Sequence, residues 1–211
     1  MKKLLIIDAG GNLERAMHEI AQAGDYQIAG VIGGQPAPAG IPHFADLNAV
    51  TDDARENSAF FIAGDQRMLN QHRLSAYMEV KRRGWPIVAL RSTSASLAAG
   101  IRLRENVYID HAVRVLPRAN IGANTWVMQG AEIGTDSKIG SSCWIGAHCR
   151  VSERAVVGKN CTLGEGVVIG PDVVLPAWSV IDSHTTLTQS PPTTLFTDPL
   201  FRSPVYLFEK G

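Results

Sequence analysis

The chain lacks an excess of charge of either sign: its 211 residues carry 20 Lys and Arg against 20 Asp and Glu. Nucleic acids and anionic membranes select for clustered basic residues, so neither partner is expected. Long apolar runs are missing too. The opening Met1-Lys2-Lys3-Leu4-Leu5-Ile6-Ile7 stops at Asp8, short of the roughly 7 to 15 apolar residues of a secretory core. No segment reaches the roughly 18 that span a bilayer. A cytoplasmic protein is the expectation. Cysteine is scarce and unpaired: Cys143, Cys149 and Cys161 are odd in number and form no C-x-x-C pair. Neither a disulfide framework nor a zinc site follows, and no metal is expected.

What is present divides into two halves. The first ninety residues alternate strand and helix patterns. Lys3 to Asp8 reads as a strand, Asn12 to Ala23 as a helix ended by Gly24, and Tyr26 to Ile32 as a second strand. A Pro/Gly-rich loop runs from Gly33 to Pro42. Beyond it Ala59 to Ala63 is strand-like, Gln66 to Lys81 places Leu69, Leu74, Tyr77 and Met78 on a helix, and Pro86 to Leu90 reads as a further strand. Such alternation predicts a small parallel α/β sheet.

From Leu97 to Leu187 a different rule holds: every sixth residue is Leu, Ile or Val, without interruption. A fixed short period marks a repeat architecture. Two residues before most of these aliphatics lies a small or β-branched residue, all three cysteines among them, and glycine often follows, as at Gly122, Gly134, Gly140, Gly146, Gly158, Gly164 and Gly170. Alternation along a strand turns the aliphatic and the small residue to one inward face. The glycines are expected to relieve the corners where the chain turns. Each coil buries its apolar face only when another stacks upon it, which defines a hexapeptide β-helix. The cysteines are read as compact buried residues.

With this pattern the second half resembles the left-handed β-helix acyltransferases, three hexapeptides to a coil. The whole chain more narrowly resembles bacterial sugar O- and N-acyltransferases of the sialic-acid O-acetyltransferase and bacillosamine N-acetyltransferase type. The carriers are Leu4-Leu5-Ile6-Ile7-Asp8-Ala9-Gly10-Gly11, Ile62-Ala63-Gly64-Asp65, and the repeats through Thr188-Gln189-Ser190-Pro191-Pro192. The resemblance implies a Rossmann-like α/β domain over 1–95, a left-handed β-helix over 96–190 and a C-terminal cap over 191–211. It further implies a homotrimer that transfers an acetyl group from acetyl-CoA to an amino or hydroxy group of a sugar, nucleotide-linked, in surface-polysaccharide synthesis. Gly10, Gly11 and Asp65 would bind the acceptor. In such enzymes acetyl-CoA lies along a groove between subunits and a histidine at a β-helix corner is the general base.

Three departures stand out. The family's catalytic His-Asp pair falls on Thr135-Asp136, and a threonine hydroxyl is no base near neutral pH. The family's first loop, Gly-Ala-Gly-Gly-His-Gly, is here Asp8-Ala9-Gly10-Gly11-Asn12-Leu13, and Gly33-Gly34 follow the second strand in place of acids. The closing Gly-Asn-Pro-Ala becomes Thr197-Asp198-Pro199-Leu200, followed by the apolar tail Phe201 to Phe208, expected to cap the last coil. Replacement bases are sought on the corner shared, at eighteen residues per coil, by His111, His148 and His184. His148, the most central, is the expected base, with Glu165 orienting it and Asp136 as a weaker acid candidate. Ala147, Glu165, Ser183, His184 and Trp144 are the expected acetyl-CoA contacts. Trp126 and Trp144, eighteen apart, read as an exposed outward pair, at a trimer interface or against the acyl donor. A binding or scaffold protein that has lost catalysis, with Thr135 as its signature, stays open beside the enzyme.

Overall fold

The computed structural model describes residues 2–34, 36–198, 200–201 and 203–207. The chain divides between Thr93 and Ser94 into two compact units.

In the first unit β1 (Lys2–Asp8), β2 (Tyr26–Ile32), β3 (His43–Phe44) and β4 (Ser58–Ala63) form one sheet in the order β3-β2-β1-β4. Every pairing is parallel. β1 lies inside the sheet, and its run Leu4, Leu5 and Ile6 is fully buried, as a strand covered on both faces requires. Helix α1 (Leu13–Ala23) is ended by Gly24 in the left-handed conformation, its N–H bonded to the Ile20 carbonyl. Thr51 caps the short α2 (Asp52–Arg55) by accepting from the Ala54 N–H. α3 spans Gln71–Arg82.

Two expectations here need correction. Met68, Leu69 and Asn70 all adopt left-handed φ values of 51 to 64°, so the helix cannot start before Gln71 and Leu69 is 44% exposed outside it. The strand expected over Pro86 to Leu90 is replaced by a bridge between Ile87 and Phe60 and a two-residue strand at Leu90–Arg91. Pro86 donates no N–H to a ladder.

The second unit is a β-helix of two-residue strands on three parallel walls. Partners in each wall are eighteen residues apart, as in Trp126↔Trp144, Glu132↔Arg150 and Lys138↔Val156. Ile139, Ile145 and Val151 stand on three different walls and point inward. From Ile109 to Ile181 each sixth residue is at most 3% exposed. Full burial of such a side chain stabilises by about 1.5 to 3 kcal/mol, so this column is the core. Leu97 and Leu187, at its ends, are half-buried.

The glycines act otherwise than expected. Left-handed φ recurs every six residues from Asn106 to His184, three residues after each aliphatic, and is adopted there by Asn, Asp, Ser, Ala, Arg, Trp and His as well as by Gly130 and Gly166. The glycines directly after the aliphatics are instead demanded by close approach of the next coil. A Cβ on Gly146 would meet the Gly164 backbone at 2.6 Å, and one on Gly158 the Ala177 backbone at 2.4 Å.

Beyond the last coil Thr194–Phe196 extends one wall beside Val180–Ile181 and pairs antiparallel with Val205–Leu207. Leu195 is buried, whereas Leu200 and Phe201 are exposed. Pro199, Arg202 and Phe208 of the expected cap lie outside the described residues.

Ile139→Asp places a carboxylate in a column that offers it no partner, a cost of several kcal/mol. The variant is expected to lose soluble expression. A soluble variant with wild-type thermal melting would contradict the inward register.

Candidate functional site

The eighteen-residue coil stacks the left-handed corner residues into three edges, each with its own chemistry. On one, Asn106 Nδ2 donates to Asn124 Oδ1 at 2.8 Å and Asn124 Nδ2 to Ser142 Oγ at 3.0 Å, a buried polar ladder. On the second, Arg118 grips Asp136 with two hydrogen bonds of 2.6 and 2.7 Å, and Arg154 grips Asp172 with two of 2.7 Å. The guanidinium hydrogen bonds hold both carboxyls below their ordinary range. Asp136 is therefore engaged in joining coils, and its lowered basicity does not suit a proton acceptor. Thr135 beside it contributes its carbonyl to the Arg154 N–H.

The third edge carries Ser94, Ala112, Gly130, His148, Gly166 and His184. Imidazoles alternate with small residues for a steric reason: a Cβ on Gly130 would lie 2.5 Å from His148 Nδ1, and one on Gly166 at 2.5 Å from His184 Nδ1. His148, Glu165, Ser183 and His184 are exposed and Ala147 is half-buried. Among the described residues no hydrogen bond or ion pair joins Glu165 to His148. Glu165 uses its backbone, its N–H donating to Ser183 Oγ and its carbonyl accepting from the His184 N–H. The orienting role expected of Glu165 thus has no contact behind it.

At the start of this edge lies an arrangement that the sequence reading passed over. Asp110, fully buried, accepts from His111 Nδ1 at 2.9 Å and from the His111 N–H at 2.8 Å. Its other oxygen accepts from the Gln129 N–H at 3.1 Å. The imidazole of His111 is 48% exposed. A carboxylate oxygen accepts, so this contact is the one that an Nδ1–H tautomer makes. The sequence signal was the adjacent pair Asp110-His111, a reversal of the expected His-Asp order.

The exposure expected of the tryptophan pair is corrected. Trp126 is fully buried and Trp144 only 8% exposed. They stack at 6.0 Å between centroids, with Tyr108 against Trp126 at 4.4 Å, forming an aromatic ladder along one wall. Inside the coils the cysteine thiols donate to carbonyls, Cys149 Sγ to Gly164 O at 2.9 Å and Cys161 Sγ to Pro176 O at 3.1 Å. Burial pushes the Cys149 thiol up to about 12. Its neighbour Cys143, together with burial, raises that of Cys161.

In the first unit a cavity of about 680 Å³ opens where β1 runs into α1, lined by Asp8, Gly10, Gly11, Asn12, Glu14 and Arg67 among others. Asp8 Oδ1 accepts from the N–H groups of Gly10 at 3.0 Å and Gly11 at 3.2 Å. Asp65 is tied to Arg67, which also donates to the Gly10 carbonyl. Gly10, Gly11 and Asp65, expected to bind the acceptor, thus come together at one loop cluster.

Comparison with known proteins agrees with this architecture. Residues 136–171 match the bacterial transferase hexapeptide (six repeats) model. No curated protein sequence matches the chain. Perosamine N-acetyltransferase from Caulobacter crescentus, solved with CoA and GDP-perosamine, superposes with a TM-score of 0.83 at 21% identity over 93% of each chain. WeeI from Acinetobacter baumannii gives 0.76 at 16% identity, over 93% of this chain and 98% of that one. The acetyltransferase domain of PglB from Neisseria gonorrhoeae gives 0.70 at 16%, over 94% and 98%. Residues 136–171 thus carry the hexapeptide repeat, and the fold, an α/β unit followed by a left-handed β-helix, is the one that these acetyltransferases share. Among the described residues no helix is long and apolar enough to cross a membrane.

The thiols supply a test of the coil packing. In the folded protein near neutral pH, Cys143, Cys149 and Cys161 are expected to resist Ellman's reagent, since all three are buried and the thiolates of Cys149 and Cys161 are suppressed. In guanidinium all three should react. Rapid labelling of the native protein would contradict the inward placement.

Proposed function

We propose that the protein transfers an acetyl group from acetyl-CoA to an amino or hydroxy group of a sugar, with His111 as general base and Asp110 as the residue that positions it. The observation that carries the proposal is the His111–Asp110 pair, which presents a half-exposed imidazole held by a buried carboxylate. The fold supports it, because the Caulobacter protein of the same architecture was crystallised with CoA and a nucleotide-linked amino sugar. PglB was likewise solved with acetyl coenzyme A. Within this proposal the first unit is a Rossmann-like acceptor domain, the protein is a cytoplasmic homotrimer, and its product enters surface-polysaccharide synthesis.

Acetyl-CoA supplies the activated thioester carbonyl. The chain's part is to hold and move one proton. Asp110 fixes the Nδ1–H tautomer, so Nε2 accepts the proton of the attacking amine or hydroxyl as the new bond to the acyl carbon forms. As the tetrahedral intermediate collapses, the same proton is available to the departing thiolate. The developing imidazolium is stabilised by the buried carboxylate, which is already satisfied by the Gln129 N–H and need not reorganise. His148 and His184, on the same edge, are assigned with Ala147, Ser183, Glu165 and Trp144 to contacts with the acyl donor.

General-base help is worth typically 100- to 10,000-fold. His111→Ala is therefore expected to lower kcat by that order while CoA affinity stays within a few-fold of wild type. Asp110→Asn should lower kcat with KM for acetyl-CoA little changed, and His148→Ala should act on KM for acetyl-CoA more than on kcat. Wild-type turnover in His111→Ala, or an enzyme lost only in His148→Ala, would overturn the assignment. Total absence of acetyl transfer by the wild type would favour the scaffold alternative that Thr135 signals.

A further inference from the structure

A glycine-rich turn from a first strand into a helix is an anion site because its N–H groups converge and the helix dipole favours negative charge there. In this chain the convergence exists but is taken. Asp8, the last residue of β1, turns its carboxylate onto the N–H groups of Gly10 and Gly11 at 3.0 and 3.2 Å. The fit is close on the far side too: a Cβ on Gly34 would overlap Asp8 Oδ2, so Gly34 leaves room for the carboxylate. A second acid stands near, since a Cβ on Gly11 would come within 3.0 Å of Asp65 Oδ2. Arg67 is paired with that same Asp65 and donates to the Gly10 carbonyl. A diphosphate entering here would have to displace one carboxylate from two amide bonds and approach another.

We infer that Asp8 is an internal anion occupying the amide site at the start of α1, and that the acceptor taken into this cavity is a sugar carrying no pyrophosphate at that loop. The inference rests on reading the cavity as the acceptor site of the proposed acetyl transfer, and it narrows the acceptor class. The carboxylates of Asp8 and Glu14 on the cavity wall suit the hydroxyl or ammonium groups of a free or glycosidically linked amino sugar, which donate hydrogen bonds, and repel phosphoryl oxygens, which only accept. Asp8 is thereby a specificity-determining residue.

Isothermal titration of the full-length protein with inorganic pyrophosphate, UDP and GDP, each alone, tests this. The wild type is expected to show no saturable binding below millimolar concentration with any of them. Asp8→Gly frees both amides and removes a like charge, and should tighten binding of all three by at least about tenfold. Asp8→Asn keeps the shape and one accepting oxygen, and should gain less. Micromolar binding of UDP or GDP by the wild type would overturn the inference. So would a folded Asp8→Gly with no gain, and if that variant does not fold, a folded Asp8→Asn with no gain decides in the same sense. The readout is independent of turnover. A chain that transfers no acetyl group but shows this binding pattern loses the proposed function and keeps the inference. One that binds GDP tightly and acetylates sugars does the reverse.

Discussion

The stacking of one eighteen-residue coil on the next is the constraint on which the second unit depends. It sets the inward column of aliphatics, and it sets how closely two backbones pass, which is why Gly146 and Gly158 admit no Cβ. It also places every third corner on the same edge. A polar ladder, a row of Arg–Asp pairs and a row of histidines follow from one period, because residues eighteen apart become neighbours at about 4.8 Å along the stack. Two edges spend their polar groups on each other. The third leaves imidazoles toward solvent, and at its start one of them is braced by a buried carboxylate.

That division of labour separates the exposed charges that join coils from the imidazole of the proposed base. Asp136 is acidic, at a corner and beside the position where a catalytic pair was expected, yet two hydrogen bonds from Arg118 make it a structural anion. Such solvent-exposed pairs add little stability singly, but repeated along an edge they specify which coil lies over which. His111 is the opposite case. Its partner is a buried carboxylate that also accepts from the Tyr108 hydroxyl and from the backbone of the same and the next coil, so the imidazole is held by a group that the core fixes.

Much of this was legible in the sequence. The unbroken aliphatic period from Leu97 to Leu187 announced the coil and its register, and the inward thiols of Cys143, Cys149 and Cys161 followed from alternation alone. The parallel sheet of the first unit was readable from β1, β2 and β4, and the loop bringing Gly10, Gly11 and Asp65 together from their place at strand ends. What failed did so for identifiable reasons. Periodicity gives the face of a strand but not what covers that face, so Trp126 and Trp144 read as exposed when they are buried. It gives the place of a glycine but not whether φ or proximity demands it. It ranks His148 by centrality on its edge, and it does not show the contact that His111 makes with the buried carboxylate adjacent to it in sequence.

The central claim is that this stack presents a working acyl-transfer base in spite of Thr135. Mass spectrometry of free amino sugars incubated with the protein and isotopically labelled acetyl-CoA tests it most directly. The account predicts a labelled N- or O-acetyl sugar formed in proportion to the CoA released. Release of CoA at no more than the rate of spontaneous hydrolysis, with no labelled sugar from any acceptor, free or nucleotide-linked, would contradict it.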